Sequence, residues 1–116
     1  MTYASPRARL RAAAIYVRTA TAARGGTTGL EAQEGRCQRE AAKRGLVVTK
    51  VFRDAGGGLN LDRPGLAALR AAVRDGIVRA IIIDSPGRLT RDTDDYTTLL
   101  TEWQDAGAEL IIAGES

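Results

Sequence analysis

The chain has 116 residues, 44% of them hydrophobic and 27% charged, which suits one soluble globular domain and excludes a disordered polymer. A single cysteine, Cys37, and no histidine exclude an intrachain disulfide and the usual zinc sites. The net charge of +3 is uneven: residues 1–53 carry eleven Lys/Arg against three Glu, and residues 54–116 carry six Arg against eleven acids.

The start, MTYASPRARLRAAA, is basic, and the apolar segment behind it is too short for a secretory signal. No apolar run is long enough to cross a bilayer. The reading is cytoplasmic, with residues 1–11 a flexible basic N-terminus. Residues 12–17, AAAIYV, are apolar throughout, as in a strand buried on both faces. Helical spacing follows from Leu30 to Arg44, with Cys37 as a buried structural thiol within it and Gly45 as the stop. LVVTKVF, 46–52, reads as the second strand. Pro64 opens a helix where its missing N–H is harmless. Leu66, Leu69 and Val73 form that helix's inner stripe, and Gly76 ends it. IVRAIIID, 77–84, reads as the third strand. A last helix runs from about Asp94, with Tyr96, Leu99, Leu100 and Trp103 inward and Gly107 as its stop. AELIIA, 108–113, reads as the fourth strand.

Strands and helices alternating in this way predict a three-layer α/β fold: a four-stranded, mainly parallel sheet with helices on both faces. Ligands of such sheets sit beyond the carboxyl ends of the strands. Those ends carry Arg18 and Arg24 with Gly25-Gly26, then Asp54, Gly56-Gly57-Gly58, Asp62 and Arg63, then Asp84, Gly87, Arg88, Arg91 and Asp92. Arg18, Arg63, Arg88 and Arg91, with Arg24 nearby, are thus expected around one space. The planar guanidinium fork suits phosphate, and glycine loops let backbone N–H groups approach an anion. The competing reading makes these arginines loop-fixing ion pairs with Asp54, Asp62, Asp84 and Asp92.

The motifs IYVRTAT, EAQ, FRDAGGGLNLDRPGL and GRLTRD, in this order, resemble the catalytic domain of the serine recombinases, the resolvase–invertase family. The resemblance runs from about Ala13 to the C-terminus. It implies a resolvase-like, flavodoxin-like sheet and DNA recombination of the kind mobile elements use. It also implies cleavage through a phosphoserine linkage to DNA, with no metal or cofactor. Arg18 and Tyr16 match the Tyr-x-Arg-x-Ser motif, Asp54 the acid after the second strand, Arg63 the next arginine, and Arg88 and Arg91 the last pair. These are the implied catalytic residues. Arg18, Arg24, Gln33, Arg63, Arg88 and Arg91 are the implied phosphate- and DNA-binding set, Gln33 matching the glutamine that opens the first helix.

Three positions depart from the pattern. The nucleophilic serine falls on Ala20, whose methyl group attacks nothing. Gly87 replaces an Asp, and Gly57-Gly58 replaces Ser-Gly. Family members also continue into a dimerisation helix, whereas this chain stops at Ser116. The expectation is therefore a degenerate, inactive recombinase domain, 12–116, incomplete at its C-terminus. It would touch DNA weakly and non-specifically through the phosphate backbone. A phosphate- or DNA-binding module that modulates a full-length recombinase is the alternative. A receiver-like signalling domain is disfavoured, because the first strand ends in Arg18 and no lysine follows Lys50.

Overall fold

The computed structural model describes residues 11–19, 26–56 and 61–114. Its elements are β1 (Ala12–Thr19), α1 (Gly26–Arg44), β2 (Val47–Ala55), α2 (Pro64–Arg74), β3 (Ala80–Ile83), a 3-10 turn (Pro86–Arg88), α3 (Thr93–Asp105) and β4 (Glu109–Ile112). The four strands form one all-parallel sheet in the order β2-β1-β3-β4. β1 is central and pairs with both β2 and β3, which is why its apolar run is continuous rather than alternating.

Alternate residues of the sheet feed two cores. Ala13, Ile15, Val17, Ala80, Ile82 and Ile111 pack on Cys37 and Ala41 of α1. Ala14, Tyr16, Ile81 and Ile83 pack on Leu66, Leu69 and Val73 of α2 and on Leu99 and Trp103 of α3. One helix therefore covers one face and two cover the other. Of the inner positions expected on α3, Leu99 and Trp103 are buried, while Tyr96 and Leu100 are only partly covered.

The three glycine stops are present, each with a left-handed backbone: Gly45 (φ 71°), Gly76 (φ 78°) and Gly107 (φ 79°). The amide after each glycine bonds back into the last helical turn: Leu46 to Ala41, Ile77 to Ala72 and Ala108 to Trp103. This is the Schellman closure that glycine favours. It also explains why β3 begins at Ala80 rather than at residue 77. The amides of Ile77 and Val78 both bond to the Ala72 carbonyl, so these residues finish the helix.

Two devices start the helices on the two-helix face. Asp92 caps α3, accepting from the Asp95 amide at 2.9 Å, with Asp94 and Asp95 in the positive first turn. The N-cap side chain of α2, Arg63, makes no capping bond. Instead the Asp54 carboxylate, at the end of β2, accepts from the Gly65 and Leu66 amides, each at 2.8 Å. A Cβ on Gly65 would collide with the Arg53 carbonyl oxygen and lie 2.8 Å from Asp54 Oδ2, so glycine permits this close seating.

Burial pushes the Cys37 thiol up to about 12, with the Asp84 carboxylate adding to the rise. Burial likewise raises the Tyr16 phenol, helped by its bond to Asp54. In both cases the folded chain holds its proton where the unfolded chain releases it, near pH 8.5 for Cys and near 10 for Tyr. Stability is therefore complete below pH ~8.5 and is lost as pH rises, by at most about 1.4 kcal/mol per pH unit for each group. Urea midpoints measured from pH 8 to 11 should fall, and Cys37→Ala should flatten the part below pH ~10. A wild-type midpoint constant across that range would contradict the buried thiol.

Candidate phosphate site at the strand ends

The order β2-β1-β3-β4 changes direction between β1 and β3. The carboxyl ends of these two strands therefore diverge into loops at a switch point, where open α/β sheets hold ligands. Most of the expected site residues meet there.

Arg18 is 3% exposed at the end of β1. Its Nε donates to the Arg88 carbonyl at 2.9 Å, Nη1 to the Gly56 carbonyl at 3.1 Å, and Nη2 to the Gly87 carbonyl at 2.7 Å. One guanidinium thus joins the loop after β2 to the turn after β3. Arg63 is 4% exposed. It donates through Nη1 to Tyr16 Oη at 3.0 Å and to the Arg88 carbonyl at 3.4 Å, and through Nη2 to the Leu89 carbonyl at short range. Its guanidinium carbon also lies 5.9 Å from the centre of the Tyr16 ring, within cation–π range. Tyr16 Oη in turn donates to Asp54 Oδ2 at 2.7 Å. Tyr16, Asp54 and Arg63 therefore form one network from β1 through β2 to the start of α2.

Gln33, on α1, clasps the Arg18 backbone. Its Oε1 accepts from the Arg18 amide at 3.1 Å and its Nε2 donates to the Arg18 carbonyl at 2.9 Å. That carbonyl also accepts from Arg88 Nη1 at 3.2 Å. Arg88 Nη2 lies 3.7 Å from Asp84 Oδ2, an ion pair of the loop-fixing kind. Arg88 Nε is buried with no acceptor among the described residues. Arg91 is exposed and, with Pro86, Thr90, Asp92, Thr93 and Tyr96, lines a shallow pocket beside the cluster.

Carbonyl oxygens satisfy donors without cancelling charge, so the cluster stays cationic. Burial first, then Arg63, Arg91 and Arg88, lower the Arg18 pKa against the partial support of Tyr16. Four guanidinium groups thus share one electrostatic neighbourhood, which favours an anion.

Ala20 and Arg24, as well as Gly57 and Gly58, lie outside the described residues. At Gly87 a Cβ would meet nothing within 4 Å, so a side chain fits where the family resemblance expects Asp. Arg36 was not singled out by its sequence. One helical turn after Gln33, it pairs with Asp84 through Nε–Oδ1 at 2.5 Å and Nη2–Oδ2 at 2.9 Å. That contact, with Arg88 adding to it, holds the Asp84 carboxyl below the usual range. The i, i+3 relation to Gln33 was the available signal.

A parallel α/β domain with an arginine cluster at its switch point defines the class. The family model described as the resolvase N-terminal domain matches residues 13–116. The chain belongs to that family, the catalytic domain of serine recombinases. It is similar to the C-terminal catalytic domain of ISC1926 TnpA, an IS607-like serine recombinase, at 26% identity and TM-score 0.79, over 88% of this chain and 67% of that one. It shares the fold of the N-terminal catalytic domain of TP901-1 integrase, at 24% identity and TM-score 0.80, over 91% and 79% of the two chains. It also shares the fold of a resolvase family site-specific recombinase from Streptococcus pneumoniae, at 21% identity and TM-score 0.76, over 89% and 72%. No match is found among curated proteins. Among the described residues, no helix is long and apolar enough to cross a membrane.

Proposed function

We propose that this chain is a serine recombinase catalytic domain that holds the DNA phosphate backbone but does not break it. The observation that carries this reading is the pairing of a charged arginine cluster at the switch point with Ala20 at the family's nucleophile position. In phosphoryl transfer, positioning and electrostatic stabilisation supply most of the catalysis, and these are what the cluster offers. The attacking oxygen is missing. Arg91, exposed beside the cluster, is the donor best placed to meet a phosphate. Arg18 and Arg63 are bonded within the chain and act mainly through their charge. Tyr16, Asp54 and Gln33 position those arginines.

Binding of this kind is weak, independent of base sequence and steeply salt-dependent. Titration of labelled duplex at several salt concentrations should give a linear loss of log affinity with log salt. Arg91→Ala should reduce that slope by about one while changing stability by less than about 0.5 kcal/mol. Tight binding to one sequence that survives high salt, or an unchanged slope in the variant, contradicts the reading.

A further inference from the structure

The turn after β3 and the first turn of α3 border an open cavity of about 140 Å³, lined by Pro86, Thr90, Arg91, Asp92, Thr93 and Tyr96. It lies against the arginine cluster: after burial and Arg63, Arg91 is among the groups that lower the Arg18 pKa. An engineered apolar cavity of roughly 150 Å³ holds one benzene molecule, so this space has the size of a single planar ring.

The two sides of the cavity differ in chemistry. Arg91 is exposed and, with the cluster behind it, offers positive charge to a phosphate. The side toward α3 is acidic. Asp92 caps the helix through the Asp95 amide at 2.9 Å, and Asp94 and Asp95 stand in the first turn. A second phosphate would be repelled there, whereas an uncharged ring would not. The walls suit such a ring. Pro86 is exposed on the 3-10 turn. Tyr96 is half-buried and packs against the core, and its amide bonds to the Asp92 carbonyl at 3.0 Å. Its wall of the cavity is therefore held in place by α3. Tyr16, the aromatic inside the cluster, is fully buried and offers no face to a ligand. The hydroxyl of Thr93 can donate or accept, so it does not select among base edges.

A cation beside an aromatic wall is how proteins hold single-stranded nucleic acid: the charge follows the backbone and a base stacks on the ring. In a duplex every base is already stacked and paired, and bringing one out costs that pairing. We propose that this cavity is a subsite for one unstacked base of a DNA strand whose phosphate meets Arg91, so that the domain prefers single-stranded or unpaired DNA to intact duplex. The proposal rests on the phosphate reading above and adds Tyr96 to it as a base-contacting residue.

Three labelled ligands compared by fluorescence anisotropy at one low salt concentration test it: a mixed-sequence single strand, an abasic strand with the same number of phosphates, and the duplex. The wild-type chain should bind the single strand at least about fivefold more tightly than the duplex, and the abasic strand should lose that advantage. Tyr96→Leu should weaken single-strand binding about tenfold and leave duplex binding unchanged, while Tyr96→Phe keeps the preference. The abasic strand is read with the wild-type chain, so the test holds even if Tyr96→Leu fails to fold. Duplex binding with an Arg91-dependent salt slope but no single-strand preference overturns the base subsite and leaves the phosphate reading standing. Binding to none of the three overturns both. Equal weakening of single-strand and duplex binding by Tyr96→Leu overturns the subsite too, because the ring would then serve the fold alone.

Discussion

Labelled DNA incubated with this chain and run on a denaturing gel should show no covalent protein adduct. In well-studied hydrolases, loss of the nucleophile alone costs about 10⁶ in turnover, and what survives is binding and charge stabilisation. Ala20→Ser restores an oxygen two residues beyond Arg18. On a strained or nicked duplex, trace adduct is the expected outcome, and full strand exchange is not. Gly87 still lacks the carboxylate that the family pattern puts there. Thr19 and Thr21 flank position 20 in the sequence and carry the adjacent hydroxyls. Thr19 is the last residue of β1, and its carbonyl accepts from the Gly56 amide at 2.7 Å, which fixes the strand up to that point. A wild-type adduct that disappears in Thr19→Ala or Thr21→Ala would make that threonine the nucleophile and end the inactive-domain reading.

The second large effect is on stability. Arg18→Ala removes three charge-assisted bonds and leaves the carbonyls of Gly56, Gly87 and Arg88 without that donor in a partly buried site. Hydrogen bonds to charged groups contribute about 1.5–3 kcal/mol each, with incomplete additivity. A loss of about 3 kcal/mol or more is expected, a large share of the roughly 5–15 kcal/mol typical of a domain. Arg18→Lys should recover little, because one ammonium lacks the planar fork that reaches three carbonyls. Urea denaturation of both variants beside Arg91→Ala gives the contrast. If Arg18→Ala were as stable as Arg91→Ala, the guanidinium would not be fastening the loops.

The sequence revealed the placement of these arginines but not their partners. Buried β1, the inner stripe of α2 and the stops at Gly45, Gly76 and Gly107 were legible because side-chain period and glycine conformation are local properties. The convergence of Arg18, Arg63 and Arg88 was legible from strand ends and family resemblance. That Arg18 is bonded to backbone carbonyls was not, since every residue has a carbonyl and none announces itself. Gln33 was read as phosphate-facing by resemblance, whereas here its amide is bonded to both backbone groups of Arg18. Arg36 looked like one more solvated charge on α1. Its partner, Asp84, is 48 residues away, beyond any helical or strand period. The start of α1 at Gly26 rather than Leu30 was obscured by glycines and threonines, which are weak helix formers.

The carbonyl bonds of Arg18 and Arg63 also change what the retention of catalytic motifs means in this family. A lineage that loses its nucleophile no longer needs arginines for chemistry, but it still needs them to close its loops. Selection for a folded chain alone preserves both, long after activity has gone. Survival of these two arginines in a diverged homologue therefore says little about whether it cuts DNA. Arg91 is the more informative position: it fastens nothing within the described chain, and without a phosphate to bind it is free to drift.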